Sequence, residues 1–82
     1  MKTENENEKE LNEFINYCKD TENIQHVSTY YNCVKLYFEN VITTDIFERL
    51  IKFNFRFYVV KSSYSPSSIY LYIYKKKTYD FN

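Results

Sequence analysis

The chain has no glycine, no alanine, no tryptophan and a single proline. The missing glycine excludes the most. Phosphate-cradling loops, dinucleotide fingerprints and nucleophile elbows need glycine where the backbone turns sharply or closes on a ligand. None can be present in its usual form, which sets aside the common nucleotide-dependent enzymes and serine hydrolases. Two cysteines, Cys18 and Cys33, make no disulfide framework. No apolar run approaches the ~20 residues that cross a bilayer. Met1-Lys2 is followed by acids and asparagines, not by the apolar stretch of a signal peptide. The expectation is a cytoplasmic, soluble chain.

What is present is equally lopsided. Phe, Tyr, Met, Ile, Asn and Lys together make 43 of the 82 residues. All six use AT-rich codons, so the gene is expected to come from an AT-rich genome, and that bias alone enriches tyrosine and lysine. Net charge is zero but segregated. Residues 1–48 carry −6 and residues 49–82 carry +6. Such a chain can pair head to tail with itself or offer different faces to different partners.

Eighty-two residues make one domain, with residues 1–7 expected to fray. From Glu8 to about Asp20, Leu11, Phe14, Ile15 and Cys18 recur at i, i+3, i+4, i+7, the stripe of an amphipathic helix. Residues 25–39 alternate as a strand through Val34, Leu36 and Phe38. They read either as one long strand or, if Tyr31-Asn32 turns, as a hairpin. A second helix is expected over about Thr44–Lys52, with Thr43 as N-cap, Ile42 and Phe47 as staple, and Ile46, Phe47, Leu50 and Ile51 buried. Asn54 can close it in a left-handed conformation. Phe55, Phe57 and Val59 then alternate with Arg56, Tyr58 and Val60, and the serine-rich stretch 62–68 links to a final strand. The expected fold is α+β in the order α-β-α-β-β. It has a mainly antiparallel sheet of three strands, or four with the hairpin, and both helices on one face. If the last strand inserts between the other two, all neighbouring strands are antiparallel; the strand order itself is left open.

That last strand carries the strongest pattern in the chain. Ile69, Leu71 and Ile73 face one way, Tyr70, Tyr72 and Tyr74 the other, and Lys75, Lys76 and Lys77 follow. With Lys35, Tyr37, Arg56 and Tyr58 on the same side of neighbouring strands, a tyrosine-rich, cationic sheet face results. Aromatic rings make large contacts at low entropy cost, which suits a protein interface. Rings beside cations also suit single-stranded nucleic acid, whose bases stack and whose phosphates are neutralised. Glu6, Glu8, Glu10 and Glu13 give a second surface, an acidic helix able to imitate a row of phosphates.

Cys18, His26 and Cys33 match no zinc spacing, and no metal or cofactor is expected. A Cys33–His26 nucleophile pair requires residues 25–39 to fold back. Paired acids such as Glu10 and Glu13, or Asp45 and Glu48, sit in helix first turns and are explained by the helix dipole. The function these residues point to is non-catalytic. They suit a small binding protein, encoded by a virus or mobile element, that inhibits a host protein by docking on it. A single-stranded nucleic-acid binder is the alternative, and a homodimer is a further partner open to the chain.

Overall fold

The computed structural model describes residues 4–21, 24, 26–65 and 67–77. Its elements are α1 (Glu4–Thr21), β1 (His26–Thr29), β2 (Cys33–Glu39), α2 (Thr44–Lys52), β3 (Phe55–Lys61) and β4 (Ser68–Lys77). The strands form one four-stranded antiparallel sheet in the order β1-β2-β4-β3. The last strand therefore does lie between its two predecessors. The order is α-β-β-α-β-β, because residues 25–39 do not form a single strand. The β1–β2 register runs from His26 opposite Tyr37 to Thr29 opposite Val34. One step further, the Tyr30 N–H donates to the Cys33 carbonyl at 2.8 Å, leaving Tyr31-Asn32 as the loop.

The alternation read in the sequence becomes the core. Leu11, Phe14, Ile15 and Cys18 of α1, and Ile46 and Leu50 of α2, pack in one cluster with Val34, Leu36, Phe38, Phe55, Leu71 and Ile73 of the sheet. Phe14 and Phe55 meet at 6.3 Å between ring centroids, Phe47 and Phe57 at 5.7 Å. Two expected core residues are not buried. Ile51 is 66% exposed, since it sits a 100° step beyond Leu50, off the stripe that faces the sheet. Val59 is 44% exposed because it lies on β3, the strand at the sheet edge, with no further strand beside it.

Helix α1 begins before its apolar stripe does. Residues 1–3 lie outside the described residues, but from Glu4 the chain is helical. Asn7 sits one turn before Leu11 and is buried, with its Oδ1 lacking a hydrogen-bond partner. An unpaired buried carbonyl costs about 1–3 kcal/mol, and leucine is the better helix former. Asn7→Leu is therefore expected to stabilise the protein by about 1–2 kcal/mol, seen as a rise of several degrees in Tm.

The chain solves its lack of glycine with asparagine. Among the described residues, the two with positive φ are Asn40 (73°), between β2 and α2, and Asn54 (62°), directly after α2. Asparagine tolerates this region better than other side chains because its short amide bonds locally. Asn54 thus closes α2 as expected. Thr43 has the extended backbone of an N-cap but makes no side-chain cap bond; its carbonyl accepts from the Ile46 N–H at 3.2 Å. The serine-rich link is shorter than expected, since Ser68 is already in β4. Within it, the Ser62 hydroxyl accepts from the Tyr64 and Ser65 N–H groups.

Candidate interaction surface

Strand pairing decides which side chains stand together on the sheet face turned away from the core cluster. Tyr37 is opposite Tyr70, Lys35 opposite Tyr72 and Cys33 opposite Tyr74 across β2 and β4. Across β3 and β4, Val60 is opposite Tyr70 and Tyr58 opposite Tyr72. Three cross-strand rows result: Tyr37, Tyr70, Val60; then Lys35, Tyr72, Tyr58; then Cys33 and Tyr74, with the Arg56 guanidinium 5.7 Å from the Tyr74 ring. The register of β1 adds His26 beside Tyr37 and Ser28 beside Lys35. These two residues were missed at the sequence level. Their signal, His and Ser alternating around Val27, gains meaning only once the hairpin sets which face they share.

The tyrosines form one continuous layer. Tyr58 and Tyr72 stack with centroids 4.7 Å apart and planes 5° from parallel. Tyr37 meets Tyr70 edge to face at 5.5 Å, and Tyr58 meets Tyr74 at 6.0 Å. The Lys35 ammonium lies 4.2 Å from the Tyr70 centroid and 5.8 Å from that of Tyr72. Such offset, edge and cation contacts complement the ring quadrupoles. Tyr37 and Ser68 share a hydroxyl–hydroxyl bond of 2.6 Å, which pins that ring to the start of β4. The phenol of Tyr58 is pushed up from its ordinary pKa, first by burial and then by charge repulsion from Tyr74, Tyr72 and Cys33. The Tyr58 phenol therefore stays neutral beside its stacked neighbours at neutral pH.

The three terminal lysines do not all join it. Strand alternation gives Lys76 the side of Tyr72 and Tyr74, and Lys75 the side of Ile73. Backbone pairing at this end is irregular between Phe55 and Phe57, and the side chain of Lys77 lies outside the described residues.

The acidic set is also divided. At 100° per residue, Glu6, Glu10 and Glu13 share one flank of α1 with Tyr17, and Glu8 stands on the other side of the core stripe. Glu10 and Glu13 line a cleft of about 100 Å³ together with Phe14, Tyr17, Arg49 and Phe53. Here Tyr17 donates its hydroxyl to Asp45, the Arg49 Nε donates to the same carboxylate at 3.1 Å, and the guanidinium lies 3.7 Å from the Tyr17 ring. This cluster is a joint between the helices. The Tyr17 hydroxyl, and then Arg49, hold the Asp45 carboxyl below its ordinary value. Asp45 therefore adds stability above the unfolded-state pKa near 3.8, and that contribution is lost as pH falls through the lower folded-state value. Thermal melts in acid are expected to show a shallower decline for Asp45→Asn than for the wild type below pH ~4.

The soft side chains do not converge. Cys18 is fully buried in the core. His26 and Cys33 do share a sheet face, because the hairpin forms. Even so, four strand steps separate Tyr30, the partner of Cys33, from His26, or about 13 Å along the sheet. Among the described residues no three His, Cys, Asp or Glu side chains group to hold a metal. An open depression of about 460 Å³ lies over Lys19, Ile24, His26 and Val27, and offers one imidazole and one ammonium. No helix among the described residues is long and apolar enough to cross a membrane.

No family model matches the chain, and no curated protein or solved structure does either.

Charge segregation in the sequence becomes segregation in space. Exposed Glu6, Glu8 and Glu13 belong to α1, whose inner stripe packs on the core side of the sheet. Lys35 and Arg56 are on the other side, among the tyrosines. The molecule has an acidic helical layer and a cationic aromatic sheet face.

Proposed function

We propose that the protein is a small non-catalytic binding module whose sheet face docks on a partner protein. In this reading it is an accessory protein of a virus or mobile element and inhibits a host protein by covering a functional surface. The observation that carries it is the continuous layer of Tyr37, Tyr58, Tyr70, Tyr72 and Tyr74, with Lys35 and Arg56 set among the rings. An aromatic surface whose rings already pack on one another loses little entropy on contact, and its cations favour an acidic rim on the partner. Small size, AT-rich composition and the segregated charge support the viral or mobile-element origin.

Single-stranded nucleic acid is the second reading, favoured by the cations beside Tyr70, Tyr72 and Tyr74. Against it stands the Tyr58–Tyr72 stack, which already uses one face of each ring.

The experiment that separates them is an anisotropy titration of labelled single-stranded RNA and DNA at low and moderate salt. Binding that weakens steeply with salt, and is lost in an Arg56→Glu/Lys76→Glu double variant, supports the nucleic-acid reading. Its absence at tens of micromolar leaves protein docking. That reading then requires a host protein that is retained by the wild type and by Glu8→Lys, and is lost with Arg56→Glu/Lys76→Glu. A captured protein that all three retain equally would remove the sheet face from consideration.

A further inference from the structure

The two edges of the sheet are unequal. β1 is four residues long; β3 runs for seven, Phe55–Lys61, and its central residues Tyr58, Val59 and Val60 are each more than 40% exposed. A long apolar edge is a template for another strand unless something blunts it. Arg56 and Lys61 lie towards its ends, leaving the middle unguarded.

The direction of the free backbone groups can be read from the ladder. The Ser62 N–H donates to the Ser68 carbonyl at 3.0 Å, one register step beyond the Lys61–Ile69 pair. Antiparallel residues alternate between turning both backbone groups towards a neighbour and turning both away. Val60 and Tyr58 therefore bond to β4, whereas Phe57, Val59 and Lys61 turn their N–H and C=O groups to the open edge. The other side of β4 agrees. Lys75 bonds to Asn32 and Ser67 to Asn40, so odd-numbered residues of β4 face β2 and even-numbered ones face β3.

We infer that β3 pairs with β3 of a second copy of this chain, antiparallel about a two-fold axis at Tyr58, and joins two sheets into one. The occupant is a second copy because the strand is complementary to itself in this register. Its full length overlaps, Phe57 stands opposite Val59 of the second copy, and each such pair exchanges both of its bonds. Arg56 falls opposite Val60. Arg56 and Lys61 have opposite parity, so every register that the outward groups permit keeps them on different faces, and they never oppose one another. At the axis the two Tyr58 residues form a non-hydrogen-bonded pair, with Cα atoms about 4.5 Å apart. Their rings extend the tyrosine layer of one copy into that of the other. This inference is independent of what the layer binds.

The test is backbone amide exchange by NMR with sedimentation velocity, both on the full chain from low to high micromolar. Exchange at Phe57, Val59 and Lys61 is expected to slow about fivefold when the total protein stands at about ten times its dissociation constant, where about a fifth of it remains monomeric. Tyr58 and Val60, already bonded to β4, change little. Val59→Pro removes one outward N–H without touching the β4 ladder, a place where an edge strand accepts proline. It is expected to stay monomeric with a wild-type circular dichroism spectrum. Val59→Lys, which adds an edge charge and keeps the backbone, is expected to weaken pairing at least tenfold should the proline variant not fold. A wild type that remains monomeric throughout overturns the inference. So does a dimer whose Phe57, Val59 and Lys61 amides exchange as fast as in the monomer, or a folded Val59 variant that dimerises as well as the wild type.

Discussion

Leu71→Ala is expected to cost about 2–5 kcal/mol, the range for a buried leucine truncated in a close-packed core. Leu71 is fully buried on β4, with Leu36 opposite it on β2 and Val59 on β3. It thus lies at the centre of the layer that both helices cover, where the surroundings have least room to collapse into a void. A domain of 82 residues has about 4–12 kcal/mol of stability in total. The substitution removes a large share of that. Urea melts should show a lower midpoint with an unchanged slope, since the loss belongs to the native state. Ile51→Ala is the matched control. The sequence pattern puts both residues in the core, but Ile51 is two-thirds exposed and its truncation should fall within about 0.5 kcal/mol of wild type. Equal effects at the two positions would contradict the packing of α2 on the sheet.

Leu71 and Ile51 also mark what was legible in the sequence. Strict alternation over 69–74 determined both the strand and its two faces, because period-two patterning leaves no other solution. The i, i+3, i+4, i+7 spacing of Leu11, Phe14, Ile15 and Cys18 placed α1 equally well. Ile51 was misplaced because a stripe of four apolar residues is wider than the strip a nine-residue helix buries here. The start of α1 was missed because Asn7 occupies a core position with a polar side chain. A polar residue in that place breaks the only signal available before the fold is known.

The candidate surface was legible in its membership and not in its state. Lys35, Tyr37, Arg56, Tyr58, Tyr70, Tyr72 and Tyr74 were grouped by parity, and strand pairing does bring them together. Parity cannot reveal whether neighbouring rings stack, since that depends on register. Lys75 illustrates the opposite failure. A run of three lysines looks like one basic patch, but in a strand consecutive residues point to opposite faces. The turn at Tyr31-Asn32 was ambiguous for a related reason: this chain uses asparagine in place of glycine, so its turn signals are weak.

Tyr72→Ala is expected to destabilise the fold by about 2–3 kcal/mol, although Tyr72 lies on the face that looks like a binding surface. Its ring is half-buried on the central strand β4, flanked by Lys35 and stacked on Tyr58. Truncation uncovers one face of Tyr58 and removes a partner of the Lys35 ammonium. Tyr58→Ala, on the edge strand and 43% exposed, should cost less. Because each ring supports the other, the two losses should not add, and a double-mutant cycle should return a coupling of about 0.5–1.5 kcal/mol. Tyr31→Ala and Tyr64→Ala, 98% and 99% exposed, should change stability by no more than about 0.5 kcal/mol. If instead Tyr72→Ala matched these loop variants, the rings would be acting as independent solvent-facing groups and the layer would have no cohesion of its own. The expected result has a consequence for every binding assay. A loss of partner binding in Tyr72→Ala would report a loosened sheet as readily as a lost contact. The docking role of this face is better tested with Arg56→Glu and Lys76→Glu. These reverse its charge at two exposed positions and keep both rings of the Tyr58–Tyr72 stack.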